Sequence, residues 1–224
     1  MSTYYTINVT NNSDSGQGFF FFQAPISSTV GAAQSHSLFQ ANLPAYASSG
    51  SVLTFCVSQQ YYACAQTELP TAATNIPFNG ITSSQPIELA LPAGPSDNNS
   101  TNLSVNPLGL SPAYPQAGVM PGAFRIVTPA YDAETNGIIN IGLAVKFPRD
   151  GSIAISSLLE AAPNLTVDCQ PNLQFYVQIG AFQQGAWLNF PIAAEGAAVC
   201  DASTGESTFN VTYNLDRTWT VTAQ

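Results

Sequence analysis

Charge is what this 224-residue chain has least of: Arg125, Lys146, Arg149 and Arg217 are its only basic residues, thirteen acidic ones oppose them, and charged residues make up 8% of the sequence. A surface of net charge -9 repels polyphosphate, because nucleic-acid affinity comes from clustered Lys and Arg, so nucleic acid is excluded as a partner. Anionic membrane surfaces are disfavoured for the same reason. No apolar run approaches the roughly twenty residues that a spanning helix needs, so no membrane span is expected. Histidine occurs once, at His36, and no Cys-x-x-Cys pair is present, so no Cys/His metal site is expected. No repeat period stands out, which argues against propellers and solenoids. Helical periodicity is missing almost throughout.

Apolar residues are plentiful, at 45% of the chain, enough for a compact core without a metal or a dense disulfide framework. They are arranged with a period of two. Tyr5, Ile7 and Val9 alternate with Thr6, Asn8 and Thr10, the turn-forming stretch Asn11 to Gly18 follows, and a second strand runs through Phe19 to Gln23. Further strands are predicted at Ser51–Ser58, Tyr61–Thr67, Ile87–Leu91, Phe124–Thr128, Ile138–Phe147, Ser152–Leu158, Phe175–Gly180 and Ala186–Phe190. A hairpin of Ser207–Tyr213 and Thr218–Thr222 closes the series. Only Ser156–Ala161 suggests a helical turn, ended by Pro163. Many short strands between Gly, Pro and Asn turns predict an all-β fold: a single-domain antiparallel β-sandwich or jelly roll over residues 1–224. The stretch 92–121, with six prolines and many Asn and Ser residues, is expected to be a long functional or crossover loop within that domain.

The four cysteines, Cys56, Cys64, Cys169 and Cys200, form an even set that allows two disulfides, with buried thiols as the alternative. Asn-x-Ser/Thr sequons at Asn8, Asn11, Asn98, Asn99, Asn102, Asn164 and Asn210, together with the acidity, suggest a glycoprotein of the secretory pathway, its leader removed before Met1. A cytoplasmic chain rich in Asn, Ser and Thr is the alternative.

Chemistry-bearing residues are sparse. His36 sits in Ser35-His36-Ser37, where strand alternation sends the serines to the opposite face, and no Gly-x-Ser-x-Gly elbow accompanies it, so a structural or exposed histidine is expected. A Ser–Lys arrangement with Lys146 has no local support. Asp132 with Glu134, and Glu195 with Asp201, are expected to be solvated loop charges. In Ile138–Phe147 the row Ile139, Ile141, Leu143, Val145 and Phe147 faces the core, and the opposite row offers Asn140 and Lys146 with Gly142 and Ala144 as open floor between them. If the neighbouring strands cooperate, Arg125, Asn140, Lys146, Tyr176, Gln178, Trp187 and Asn189 line one concave surface; an ordinary solvent-facing sheet is the plainer alternative. Half of the run Phe19 to Phe22, together with Tyr61 and Tyr62, must be exposed or covered by a loop, a ligand or a second copy of the chain, which makes a homodimer interface a candidate use.

Tyr5-Thr6-Ile7-Asn8-Val9-Thr10-Asn11-Asn12-Ser13, then Phe19-Phe20-Phe21-Phe22-Gln23-Ala24-Pro25, with Ile141-Gly142-Leu143 and Phe175-Tyr176-Val177 later, resembles small fungal proteins found with secondary-metabolite genes. Some of these are similar to the hetero-Diels-Alderases of tropolonic sesquiterpene biosynthesis. The resemblance implies a cofactor-free cycloaddition between a tropolone ortho-quinone methide and a humulene-type olefin, so the expected partners are small apolar substrates, a tropolone and a terpene. On that footing Trp187, Tyr176 and Phe22, with Tyr62, Asn140 and Asn189, bind the reactants, and Lys146, Arg125 or Gln178 holds the tropolone oxygens and assists loss of water. A lectin-like or lipid-binding secreted β-sandwich without catalysis is the rival, since exposed Trp and Tyr beside Asn and Gln also suit sugar stacking. A purely structural extracellular protein is a third reading.

Overall fold

A computed structural model describes residues 4–67, 82–93 and 98–224. Its strands are β1 (Tyr4–Asn11), β2 (Gln17–Gln23), β3 (Ser27–Ser28), β4 (Gln34–Leu43), β5 (Val52–Ser58), β6 (Tyr61–Thr67), β7 (Thr82–Ile87), β8 (Ser100–Val105) and β9 (Leu108–Leu110). They continue with β10 (Phe124–Val127), β11 (Ile139–Lys146), β12 (Ile153–Glu160), β13 (Thr166–Gln170), β14 (Gln174–Ile179), β15 (Trp187–Leu188), β16 (Ala198–Asp201), β17 (Thr208–Tyr213) and β18 (Trp219–Ala223). Helix is confined to short turns, α1 (Tyr46–Ser49), α2 (Ala133–Asn136) and α3 (Phe190–Ala194), and one 3₁₀ turn at Ala202–Thr204.

The strands form an all-β sandwich. One large sheet, ordered β16-β14-β2-β4-β12-β11-β6-β7 with β15 added against β4, is backed on its inner face by two smaller sheets, β18-β17-β1-β5 and β3-β13-β10-β8-β9. Among the described residues the pairings are antiparallel except β1 with β17 and β10 with β8. Alternation builds two cores. Phe19, Phe21, Phe175 and Val177 meet Ile7, Val9, Phe55 and Phe209 over one half of the large sheet. Ile139, Ile141, Leu143 and Ala65 meet Phe124, Ile126 and Val167 over the other. The apolar row predicted for Ile139 to Val145 thus does face inward.

Both halves of the Phe19–Phe22 run are buried. Phe20 and Phe22 face outward from the sheet, where the chain itself covers them with Leu188, Phe190 and the alanines that follow in and after α3. Burying each ring stabilises by roughly 1.5–3 kcal/mol, and the chain itself supplies the cover. The four cysteines are free, three of them buried, which corrects the expectation of disulfides. Burial pushes the Cys64 thiol up, and those of Cys169 and Cys200 up to about 12, so they stay protonated and behave as small apolar side chains. Asn11 and Asn99 are buried, and their Nδ2 atoms donate to the Leu43 and Gln116 carbonyls at 3.0 and 3.0 Å, so these two sequons cannot carry a glycan in the folded chain.

Three expectations fail on local grounds. Ser156–Ala161 is not helical but lies largely in β12, because its residues pair across to β11 and the apparent helical spacing comes from a bulge that adds Ser156 between Leu143 and Ala144 of the partner. Within Ile87–Leu91 only Ile87 is strand, the end of β7. Within 92–121, residues 94–97 lie outside the description, and the rest is no plain loop: β8 and β9 form a hairpin turning at Asn106-Pro107, and Tyr114 bridges back to Ser100.

Gly142 is not open floor either. A Cβ there would run into the carbonyl oxygen of Ser157, because the β12 bulge brings that backbone over the glycine. Gly142→Ala is therefore expected to lower unfolding stability by about 1–3 kcal/mol, read as a drop in the urea midpoint at unchanged slope.

Candidate functional site

The described residues cover the outer face of the large sheet at one end and leave it open at the other. Residues directly opposite in neighbouring strands share a face, so the register lays out three rungs. The first is Thr82, Gln66, Asn140 and Glu160; the second Ser84, Cys64, Gly142, Leu158 and Gln34; the third Pro86, Tyr62, Ala144 and Ile155. Over these rungs lie two cavities. One, of about 250 Å³, is lined by His36, Cys64, Gln66, Ser84, Ala144 and Ile155, with Gln184 and Gly185 at its edge. The other, of about 280 Å³, is lined by Gln34, His36, Asn140, Leu158, Glu160 and Trp187. His36 is the wall they share.

His36 stands on β4, the central strand, opposite Trp187 of β15. It is 4% exposed, whereas Trp187 is 53% exposed. Ser35 and Ser37 turn away from it: Ser35 Oγ donates to the Gln23 carbonyl at 2.8 Å and Ser37 Oγ to the Phe182 carbonyl at 2.9 Å. His36 Nδ1 is buried with no hydrogen-bond partner. Burial pushes the imidazole down to about 4, against a weaker opposing effect of the Gln34 backbone, so the ring is neutral at pH 7. Sequence reasoning missed both the strand and the residue. β4 is too polar, Gln34-Ser35-His36-Ser37, to read as a core strand, and the extra residue Leu38, between the partners of Phe21 and Phe22, breaks its alternation.

Of the residues nominated from sequence, Trp187 and Asn140 meet in one cavity, and Tyr62 joins Cys64, Ala144 and Leu158 in the floor beside it. Tyr176 and Phe22 are together, but in the covered cluster: their rings stack at 5.1 Å, and Phe190 stands edge-on to Tyr176 at 5.4 Å. The remaining four lie elsewhere or are engaged. Arg125 belongs to a different sheet, where Nε and Nη2 donate to the Asp168 carboxylate at 2.6 and 2.9 Å and Nη2 also to the Gly118 carbonyl, so it is a structural ion pair and not part of this face. Gln178 lies on the face but is committed, its Nε2 donating to the Glu195 carbonyl and its Oε1 accepting from the Ile179 amide. Asn189 is exposed and begins α3. Lys146 ends β11 beside Gly151, outside both cavities. Asp132 and Asp201 each cap a short helical turn, and hydrogen bonds from the Thr135 and Ser203 hydroxyls, with those from the Glu134 and Ser203 amides, hold both carboxyls below the usual range. Among the described residues no three His, Cys, Asp or Glu side chains gather as a metal site.

A two-layer β-sandwich with a trough of mixed polar and apolar lining on the outer face of its large sheet is the class this geometry defines. The chain belongs to the RhiA family, whose family model matches residues 2–224. The membership is consistent with the resemblance to hetero-Diels-Alderases drawn from the sequence. No curated protein and no solved structure matches the chain.

Arg125→Ala leaves the Asp168 carboxylate half of a broken pair, and an unfolding stability lower by about 1–3 kcal/mol is expected in urea titration. His36 gives a pH dependence of known sign. Its folded pKa, about 4, lies below the unfolded 6.5, so the unfolded chain binds the extra proton between those values and stability falls as pH drops through that window. At about 1.4 kcal/mol per unit the full loss is roughly 3–4 kcal/mol, and comparing His36→Phe with the parent over pH 4–7 follows most of it.

Proposed function

We propose that the chain catalyses an intermolecular hetero-Diels-Alder cycloaddition between a tropolone ortho-quinone methide and a humulene-type sesquiterpene, and that residues 1–224 act as one domain. What carries this reading is the pair of adjoining cavities with one shared wall, since a reaction of two apolar molecules requires two seats side by side. Family membership and the sequence resemblance support the same class of chemistry.

A cycloaddition makes two bonds in one passage and uses no nucleophile, so protonated, buried cysteines are no handicap. The enzyme's contributions are orientation and hydrogen bonding that draws electron density from the heterodiene. Asn140 and Gln66 carry amides at the trough, Thr82 and Ser84 carry hydroxyls, and Trp187 with Leu158 and Ile155 supplies apolar wall. These replace Arg125 and Gln178, whose donors are spent on the fold.

Incubation with humulenol and a hydroxymethyl tropolone, which loses one water to give the ortho-quinone methide, is expected to yield a pyran-linked adduct of fixed stereochemistry, followed by chiral chromatography. Trp187→Ala is expected to cost about tenfold in kcat/KM. A racemic adduct formed no faster than in buffer would overturn the assignment. The exposed Trp187 also suits stacking on a sugar, and a glycan array with a saturable hit lost in Trp187→Ala would favour the lectin-like alternative instead.

A further inference from the structure

The least explained atom in the described structure beside a cavity is Nδ1 of His36. A buried polar atom without a partner costs about 1–3 kcal/mol, and the residue that carries it lines both cavities. The cation-free lining decides what could satisfy it. Neither cavity is lined by Lys or Arg, Glu160 stands at the edge of one, and the chain carries a net charge of -9, so a carboxylate or phosphate has nothing to hold it. The neutral imidazole offers one donor and one acceptor, and a hydroxyl, which both gives and takes a hydrogen bond, matches Nδ1 in either tautomer. The neighbouring surfaces add shape: the half-exposed Trp187 offers a flat face, Leu158 an apolar side and Asn140 an amide. The ring of a histidine also has a soft, two-fold χ2, so a turn of the imidazole can exchange Nδ1 with Cδ2 at the cavity wall as a ligand enters.

We propose that the cavity bounded by Gln34, His36, Asn140, Leu158, Glu160 and Trp187 binds a planar hydroxylated ring stacked against Trp187, with His36 Nδ1 as the hydrogen-bond partner of a ring hydroxyl. The proposal rests on the cycloaddition reading for its choice of ring, and assigns the tropolone-bearing reactant to this end of the trough, leaving the cavity floored by Cys64 and Ala144 for the olefin. Among the described residues, the other ionisable groups that line the two cavities are Glu160 of β12, a second hydrogen-bond acceptor, and the thiol of Cys64 on β6, which burial keeps protonated.

Because the chain has one histidine, ¹⁵N-histidine labelling gives a spectrum of His36 alone. Titration of the intact protein with tropolone as probe is expected to move the Nδ1 resonance saturably. His36→Phe is expected to weaken tropolone binding at least tenfold, and His36→Gln, whose amide both donates and accepts, to restore part of it. An unmoved Nδ1 resonance at tropolone concentrations that saturate the fluorescence change lost in Trp187→Phe, which leaves Trp219 as the only tryptophan, overturns the proposal, as does equal affinity in a folded His36→Phe. Binding at His36 without any adduct in the two-substrate incubation would sink the reaction and leave the site; a stereospecific adduct formed undiminished by His36→Phe would do the reverse.

Discussion

Where β2, β4 and β12 converge, the large sheet is held by side-chain hydrogen bonds rather than by apolar packing, and everything on its outer face depends on that seam. Gln23 is its hub. Its Nε2 donates to the Asn172 carbonyl at 2.6 Å, its Oε1 accepts from Ser156 at 2.7 Å, and its own carbonyl accepts from Ser35. Ser157 accepts from the Ile26 amide at 3.2 Å. The side chains of Gln23, Ser35, Ser156 and Ser157 are buried, and each left unmatched would cost about 1–3 kcal/mol, so the serines and the glutamine fix one register where these strands meet. The β12 bulge that supplies Ser156 is the same irregularity that lifts backbone over Gly142 and shapes the trough.

The seam also explains the distribution of aromatic rings. On one side of it the outer face is roofed by Leu188, Phe190 and the small residues that follow, which closes Phe20, Phe22 and Tyr176 into a third cluster. On the other side no such roof is laid by the described residues, and the floor is made of small or polar side chains: Cys64, Ala144, Asn140, Gln66. Trp187 stands at the border between the two, and His36 beneath it.

Alternation made the sandwich legible, because Ile139, Ile141 and Leu143 or Phe175 and Val177 can only be read as inward rows. Trp187 and Asn140 were found as outward positions by the same rule. What the rule could not supply was strand order, and hence that Arg125 belongs to the backing sheet and meets Asp168, a residue 43 positions away. Nor could it find β4, buried on both faces over Ser35–Leu38, whose two serines are satisfied by the carbonyls of Gln23 and Phe182. The hairpin of β8 and β9 was hidden by its prolines and short apolar content.

The parallel pairing of β1 with β17 joins residues near 4–11 to residues 208–213. While the chain is being synthesised, β1 can zip to β5 as soon as that strand emerges, but its other edge stays bare until some hundred and fifty further residues have been added. An unpaired edge bearing Ile7 and Val9 is an invitation to stray strands during that interval. Its flanking Asn8, held between Thr54 and Asn210 in the finished sheet, is a polar interruption that makes the waiting edge less adhesive.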